Sequence, residues 1–420
     1  MPKAMIITVG TGKNVEHGIC FSIEKQNPDH IIFIVTKESK NKIIPQILEN
    51  PKVKSKKSEE ILLSDENDIE KIYSQCLESI ERAKKLGYSP ADIVIDYTSG
   101  TKSMSAAVVL AGIKKWVGSL SYITGERDSN GRVISSTERS MILEPNKIYA
   151  DLFFDKAIEL FNSCQFDTCV EIVKKVMDMI KRLPEYCSKC KFLSQLSTAY
   201  SAWDKFNLQK ALEILNKKEI SGNKLLAKWG IKKRIELNKQ VLHKEVNNKF
   251  CLERMVDLFE NAQRRAEIEK KYDDAVARLY RILEYIAQYL ISKKNLYSRD
   301  NNGNVLTDSI DLGKLPEDLR EKYSSGSRDG KMSLVDDYFL LADLGEEVGK
   351  EFVKVFNEKE SIIKRNLELR NKSILAHGFN PVDENCYNKF RDLALEYIKK
   401  ITQNDFERIR ECCRFPILKI

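Results

Sequence analysis

Residues 92–112, DIVIDYTSGTKSMSAAVVLAG, pass from a β-branched run through a glycine-bearing turn into a helix. Ile93, Val94 and Ile95 are apolar without interruption, which marks a strand buried on both faces. The hexamer Thr98-Ser99-Gly100-Thr101-Lys102-Ser103 follows, and Ser105 to Val117 then reads as a helix. The same alternation surrounds this stretch. MIITVG (5–10), HIIFIVT (30–36) and SLSYITG (119–125) read as further strands. Between them, 66–86 places Ile69, Ile72, Cys76, Ile80 and Ala83 at helical spacing, and Gly87 stops the pattern. Short strands separated by helices predict a parallel sheet covered on both faces, an α/β domain.

Beyond about residue 150 the pattern turns helical and stays so to the end of the chain. Three segments share a phrase of an aromatic, an Asp or Asn and then a helix: QFDTCVEIV (165–173), KFNLQKALEIL (205–215) and KYDDAVARLYRIL (271–283). Their irregular spacing fits packed helix pairs better than a repeat array. The clearest amphipathic helix is 273–291, with Ala275, Leu279, Ile282, Ile286 and Leu290 on one stripe. The polar stretch 293–332 reads as a long loop with little structure. Helical pattern resumes by Asp336 and runs to about Arg410. A Rossmann-like α/β domain over 1–150 is thus followed by an all-α region.

Composition narrows the function. The chain has 420 residues, 42% hydrophobic and 31% charged, ordinary for a packed protein of two or three domains. No apolar run approaches the ~18 residues of a membrane span, and MPKAMIITVG lacks a signal-peptide layout, so a cytoplasmic location is expected. The ten cysteines then read as reduced thiols. Cys187-x-x-Cys190 lacks the two further ligands of a structural zinc, and four scattered histidines do not point to a multi-histidine metal centre. The formal charge of +8 permits a polyanionic partner without requiring one. Lys232-Lys233-Arg234 reads as a solvated helix face.

Two loops follow strands at the carboxyl edge of the sheet, where ligands of doubly wound folds bind. Gly10-Thr11-Gly12-Lys13 ends the first strand, and Thr98–Ser103 follows the strand 92–98. Glycine lets a backbone approach a ligand, a helix start offers unpaired amides, and Lys102 adds a cation. Val15 replaces the third glycine of a dinucleotide fingerprint, and Ile7 and Asn14 break a P-loop. Dehydrogenase and NTPase readings are therefore disfavoured. Tight turns alone would account for Gly10–Gly12. Four hydroxyls, a glycine and a lysine at one helix start favour phosphate or ribose binding at 98–103.

The second candidate site is Arg370-Asn371-Lys-Ser-Ile-Leu-Ala-His377, followed by Gly378. Seven positions on a helix span about 10 Å and return to the same face. Arg370 supplies a planar cation for phosphate, Asn371 an amide to orient it, and His377 a proton donor and acceptor near neutral pH. Gly378 suits a helix C′ position, where the helix dipole favours imidazolium. Without carboxylates or metal ligands, the chemistry that fits is attack of an RNA 2′-hydroxyl on its own phosphate. DNA lacks that nucleophile. A two-fold dimer would bring two such pairs into one cleft.

With both motifs in this order, the chain resembles a known family. The first strand and loop, with DYTSGTKSMSAA, resemble a CRISPR-associated Rossmann-fold (CARF) sensor domain. YDDAVARLYRILEYIAQYLI and LRNKSILAHG resemble the HEPN ribonuclease domain of CRISPR ancillary ribonucleases of type III systems. The resemblance implies a CARF domain over 1–150, a helical linker domain over 151–250 and a HEPN domain over 251–420. It implies that cyclic oligoadenylate binds across a CARF homodimer, on Gly10, Thr11, Gly12, Thr98, Ser99, Gly100, Thr101 and Lys102. It implies metal-independent endonucleolytic cleavage of single-stranded RNA in antiviral defence, through Arg370, Asn371 and His377 at the longest spacing of the R-x(4–6)-H motif. The expected product is a 2′,3′-cyclic phosphate, and neither a cofactor nor a membrane partner is expected. A nucleotide-sensing regulator, or an enzyme that degrades the cyclic nucleotide in the first domain, is the competing expectation. Neither requires the Arg/His window.

Overall fold

Hydrophobic β-branched runs set the centre of the N-terminal sheet in this computed structural model. It describes residues 3–126, 129, 134, 137–179, 184–324, 332–358, 361, 363–365, 367, 368 and 378–419. Strands β1 (Ala4–Val9), β2 (His30–Val35), β3 (Lys57–Leu62), β4 (Ile93–Asp96), β5 (Ser119–Thr124) and β6 (Arg139–Leu143) lie in the order β3-β2-β1-β4-β5-β6. The pairs from β3 through β5 are parallel, and β6 runs antiparallel to β5. The sheet is therefore mixed rather than parallel throughout.

Alternation along β1 separates two cores. Ala4 and Ile6 join Ile32, Ile95, Ile72, Ile80 and Val108 on one face. Met5, Ile7 and Val9 join Phe33, Val35, Ile19, Ile23 and Ile47 on the other. Each fully buried isoleucine contributes roughly 1.5–3 kcal/mol relative to exposure. The helices Ile69–Lys85 and Lys102–Lys115 cover the first face. Within the former, Ile72, Cys76, Ile80 and Ala83 are buried as the spacing predicts, whereas Ile69 in its first turn is 44% exposed. Asp68 caps that helix by accepting from the amides of Glu70 and Lys71.

The order of the strands matters for function. From β1 the chain winds outward through β2 to β3, then returns to β4 beside β1 and winds the opposite way. The gap above β1 and β4 is the topological switch point, where connecting helices leave in opposite directions and a crevice opens.

The chain divides into two compact units, Met1–Phe154 with Lys175–Cys187, and Asp155–Lys174 with Ser188–Ile420. The second is helical. Helix Leu252–Gln263 passes through the π-helical turn Arg264–Ile268 into helix Tyr272–Lys293. Ala275, Leu279, Ile282 and Ile286 of that last helix are buried and Leu290 is half-buried, as its stripe predicts. Tyr338 stacks on Phe352 with centroids 3.9 Å apart and donates its hydroxyl to the Leu283 carbonyl at 2.9 Å.

The stretch 293–332 corrects the sequence reading. It holds a hairpin of β7 (Tyr297–Arg299) and β8 (Val305–Ile310), then helix Glu317–Ser324. Asp300 organises the hairpin turn, accepting from the amides of Asn302 and Asn304. The helical pattern after Asp336 is also interrupted, into Leu334–Asp343, Glu347–Asn357 and Glu384–Thr402, with Ser333 and Asp383 as caps.

Two helix pairs in this unit turn through the same motif. Cys164 (φ 58°) and Phe206 (φ 57°) are left-handed. Their amides donate to Phe161 and Trp203, and the next amides, Gln165 and Asn207, to Leu160 and Ala202. This is a Schellman turn, whose left-handed position usually falls to glycine. The turn falls at different points of the phrase noted in the sequence, two residues before Phe166 but at Phe206 itself.

Candidate functional site

The loops above β1 and β4 touch. The Gly10 amide donates to Ser99 Oγ at 2.8 Å, and the Thr8 hydroxyl donates to the Ser99 carbonyl. A Cβ at Gly10 would lie 2.7 Å from the Gly100 nitrogen and 2.9 Å from its Cα, so only glycine permits the contact. Gly100 itself has φ +107°. Beneath them the fully buried Asp96 accepts from the Ser22 hydroxyl at 2.5 Å and the Thr98 amide at 2.9 Å. Burial pushes its carboxyl above the ordinary range, and the hydrogen bonds from Ser22 and Thr98 draw it back. Asp96 thereby pins the start of the loop to the sheet and to helix Val15–Gln26.

A cavity of about 360 Å³ opens at this point. It is lined by Gly10, Thr11, Gly12, Thr98, Ser99, Gly100 and Thr101, which are seven of the eight residues singled out in the sequence for this loop pair. Lys102 is the exception: it is exposed in the first turn of its helix and does not line the cavity. Three of the four hydroxyls have local duties. Thr98 Oγ1 accepts from the Ile123 amide at 2.8 Å, Ser99 Oγ accepts from Gly10, and Thr101 Oγ1 caps Met104 at 3.1 Å while donating to the Glu66 carbonyl. What the loop offers a ligand is chiefly backbone: the amides of Lys102 and Ser103 are the first of the helix and have no intrahelical acceptor.

Sequence reasoning missed Thr36, Glu38 and Glu66, which also line the cavity. They follow the carboxyl ends of β2 and β3, so the rule that located the two glycine loops would have found them too. Glu38 pairs with Lys42 at 2.8 Å. The cavity lining contains two carboxylates and no cation among the described residues.

Arg370, Asn371 and His377 lie outside the described residues. Gly378, half-buried, belongs to no helix. Further along, the Val382 amide meets Asp273 Oδ2 at 3.4 Å and Asp383 caps helix Glu384–Thr402 through the Cys386 amide at 2.7 Å.

Burial raises the thiols of Cys20, Cys76 and Cys169. Among the described residues no group of three or more His, Cys, Asp or Glu side chains is placed to hold a metal ion. No helix among them is long and apolar enough to cross a membrane.

A sheet with a switch-point cavity, followed by a helical region, has a counterpart among known proteins. Three family models match in succession: the Card1 CARF domain over 11–147, the Csm6 6H domain over 149–243 and the Csm6 HEPN domain over 243–401. The chain belongs to the CARF–HEPN ancillary proteins of CRISPR systems. In fold it is similar to Enterococcus italicus Csm6, solved bound to cyclic hexa-2′-fluoro-hexa-dAMP. That match has 13% identity and a TM-score of 0.57, and covers 98% of each chain. No curated protein sequence matches the chain.

Proposed function

We propose that this chain is an endoribonuclease switched on by cyclic oligoadenylate. The reading is carried by the succession of sensor, linker and nuclease family models along a single chain. We assign sensing to 1–150, linkage to 151–250 and cleavage to 251–420.

The cavity at the switch point is the activator site. Its chemistry divides the ligand: phosphates rest on the amides at the start of helix Lys102–Lys115, and Glu38 and Glu66 accept hydrogen bonds from adenine amino or ribose hydroxyl groups. Lys102 contributes long-range attraction. An even-numbered cyclic oligonucleotide shares a two-fold axis with a homodimer, so the same loops of two copies hold both halves. The Csm6 solved with a cyclic hexanucleotide analogue supports this choice of ligand.

In the nuclease domain, His377 moves the proton of the RNA 2′-hydroxyl. Arg370 stabilises the charge developing on phosphorus, and Asn371 orients the phosphate. The nucleophile comes from the substrate itself, so the product is a 2′,3′-cyclic phosphate and the step needs no metal. Two copies supply two histidines for the two proton transfers.

The test is degradation of single-stranded RNA with cyclic tetra-adenylate and cyclic hexa-adenylate compared side by side, each with and without EDTA. One ring should activate and EDTA should leave the rate unchanged. No cleavage with either ring would overturn the reading, and loss of cleavage in EDTA would point to a metal nuclease.

A further inference from the structure

A second cleft, of about 220 Å³, lies wholly within the helical unit. The rings of Phe206, Phe250 and Tyr285 line it, together with Lys249, Arg254 and Arg281. Among the described residues lining it there is no carboxylate. The cavity beside Cys164, by contrast, mixes three acidic with three basic side chains.

The three cations differ in what they are free to do. Arg254 is a brace, donating to the carbonyls of Lys249 and Glu245 and facing the Glu245 carboxylate at 3.5 Å. Arg281 is 45% exposed, on Gln288 at 2.9 Å and Glu284 at 3.2 Å, partners that hold its guanidinium at the cleft. Lys249 is exposed, with its ammonium 5.7 Å from the centroid of the Phe250 ring. Phe250 is fixed from behind by stacking on Tyr297, with centroids 6.1 Å apart.

Phe206 is the independent sign. Its left-handed backbone is strained for an aromatic residue. The matching turn uses Cys164, so the motif does not demand a ring. Phe206 is only half-buried, and its ring lines the cleft. A strained, partly open ring beside cations suits a base that must be stacked.

We propose that this cleft is a nucleotide subsite for single-stranded RNA, in which a base stacks on Phe206 and Phe250 and a flanking phosphate meets Arg281 and Lys249. It rests on the ribonuclease reading above and lies apart in sequence from Arg370, Asn371 and His377. Aromatic faces accept any base, so the subsite grips without choosing sequence.

The experiment uses the full chain carrying His377→Ala, which prevents cleavage, saturated with the activating ring. Binding of a fluorescein-labelled single-stranded RNA 12-mer is followed by anisotropy. Phe206→Gly and Arg281→Gln should each weaken binding about 5-fold or more, and Phe206→Tyr should retain it. Arg281→Gln and Lys249→Gln should each flatten the log–log salt dependence by about 0.7. Binding of an RNA duplex, whose bases are already stacked, should not change with Phe206. The melting temperature of Phe206→Gly should stay near that of the parent, because relief of the left-handed strain offsets the lost ring contacts.

Unchanged single-strand affinity in Phe206→Gly and Arg281→Gln overturns the subsite and leaves the cleft to a protein partner. Equal loss in Phe206→Tyr and Phe206→Gly assigns the ring to scaffolding and overturns it as well. A parent that neither binds nor cleaves single-stranded RNA fails the ribonuclease reading itself, and the subsite falls with it.

Discussion

The switch-point cavity and the helical cleft, the two nucleotide sites proposed above, are built in opposite ways. The cavity presents glycine backbone, a helix start and two carboxylates, with no lining cation. The cleft presents rings and cations, with no lining carboxylate. A closed ring of fixed shape can be met by fixed amides and by acceptors placed for its amino groups. A flexible strand of any sequence is better held by faces and charges that do not care which base arrives. The first arrangement selects, and the second grips.

The largest break in this comparison would come at His377, the residue proposed to move the proton. His377→Ala should lower RNA cleavage about 10³-fold or more while activator affinity, read by calorimetry, is unchanged. Retained cleavage would remove the Arg/His window from the mechanism. Next in size is Gly10→Val. Its Cβ would meet the Gly100 backbone at 2.7 Å, so the two loops must separate. The activator concentration needed for half-maximal cleavage should rise about 100-fold, with RNA affinity untouched; an unchanged activation curve would displace the site.

The buried acids of the two regions sharpen the contrast. Asp96 is braced by donors, whereas Asp337 is buried with Oδ1 lacking a hydrogen-bond partner among the described residues. Burial, with Asp336 and Glu284 nearby, pushes the Asp337 carboxyl up to about 8. The folded chain then holds a proton that the unfolded chain releases near pH 4. Stability conferred by this proton is present at pH 4 and below, and falls as pH rises toward 8. Asp337→Asn should therefore raise the melting temperature at pH 8 by several degrees, by clearly less at pH 5, and hardly at all below pH 4. Equal effects at pH 8 and pH 5 would mean that the carboxyl is ionised throughout.

Smaller effects belong to the charged rim of the first cavity, and there the sign decides. Glu66→Gln should weaken activator binding about 5-fold if the carboxylate accepts from an amino or hydroxyl group. Tighter binding would mean that phosphates occupy the cavity and were being repelled. Lys102→Ala, exposed and outside the lining, should cost no more than about 3-fold at low salt and less at high salt.

Strands β1, β2, β4 and β5 were legible because burial on both faces writes an unbroken apolar run. Strand β3, KSEEIL, carries the sheet edge and buries only Ile61 of its six residues. Strand β6, RSMIL, has no buried residue at all, so neither leaves that signature. The hairpin at 297–310 was hidden by the polar composition of a surface element. At the candidate site the glycines were readable because a close approach admits nothing larger. The hydroxyls carry a second duty that the sequence does not display: Thr98, Ser99 and Thr101 also cap and tie the loops together. Glu38 and Glu66 sit past the carboxyl ends of β2 and β3, where the strand-end rule points, but a loop carboxylate carries no sign of its own that it faces a cavity.

Phe206 also bears on how this protein would respond to engineering. Glycine suits the backbone at that position, so a screen for heat resistance that never samples RNA would not defend the ring. Variants emerging from such a screen could fold as well as the parent, sense their activator, and still hold their target poorly. Position 206 is where such a library should be sequenced first.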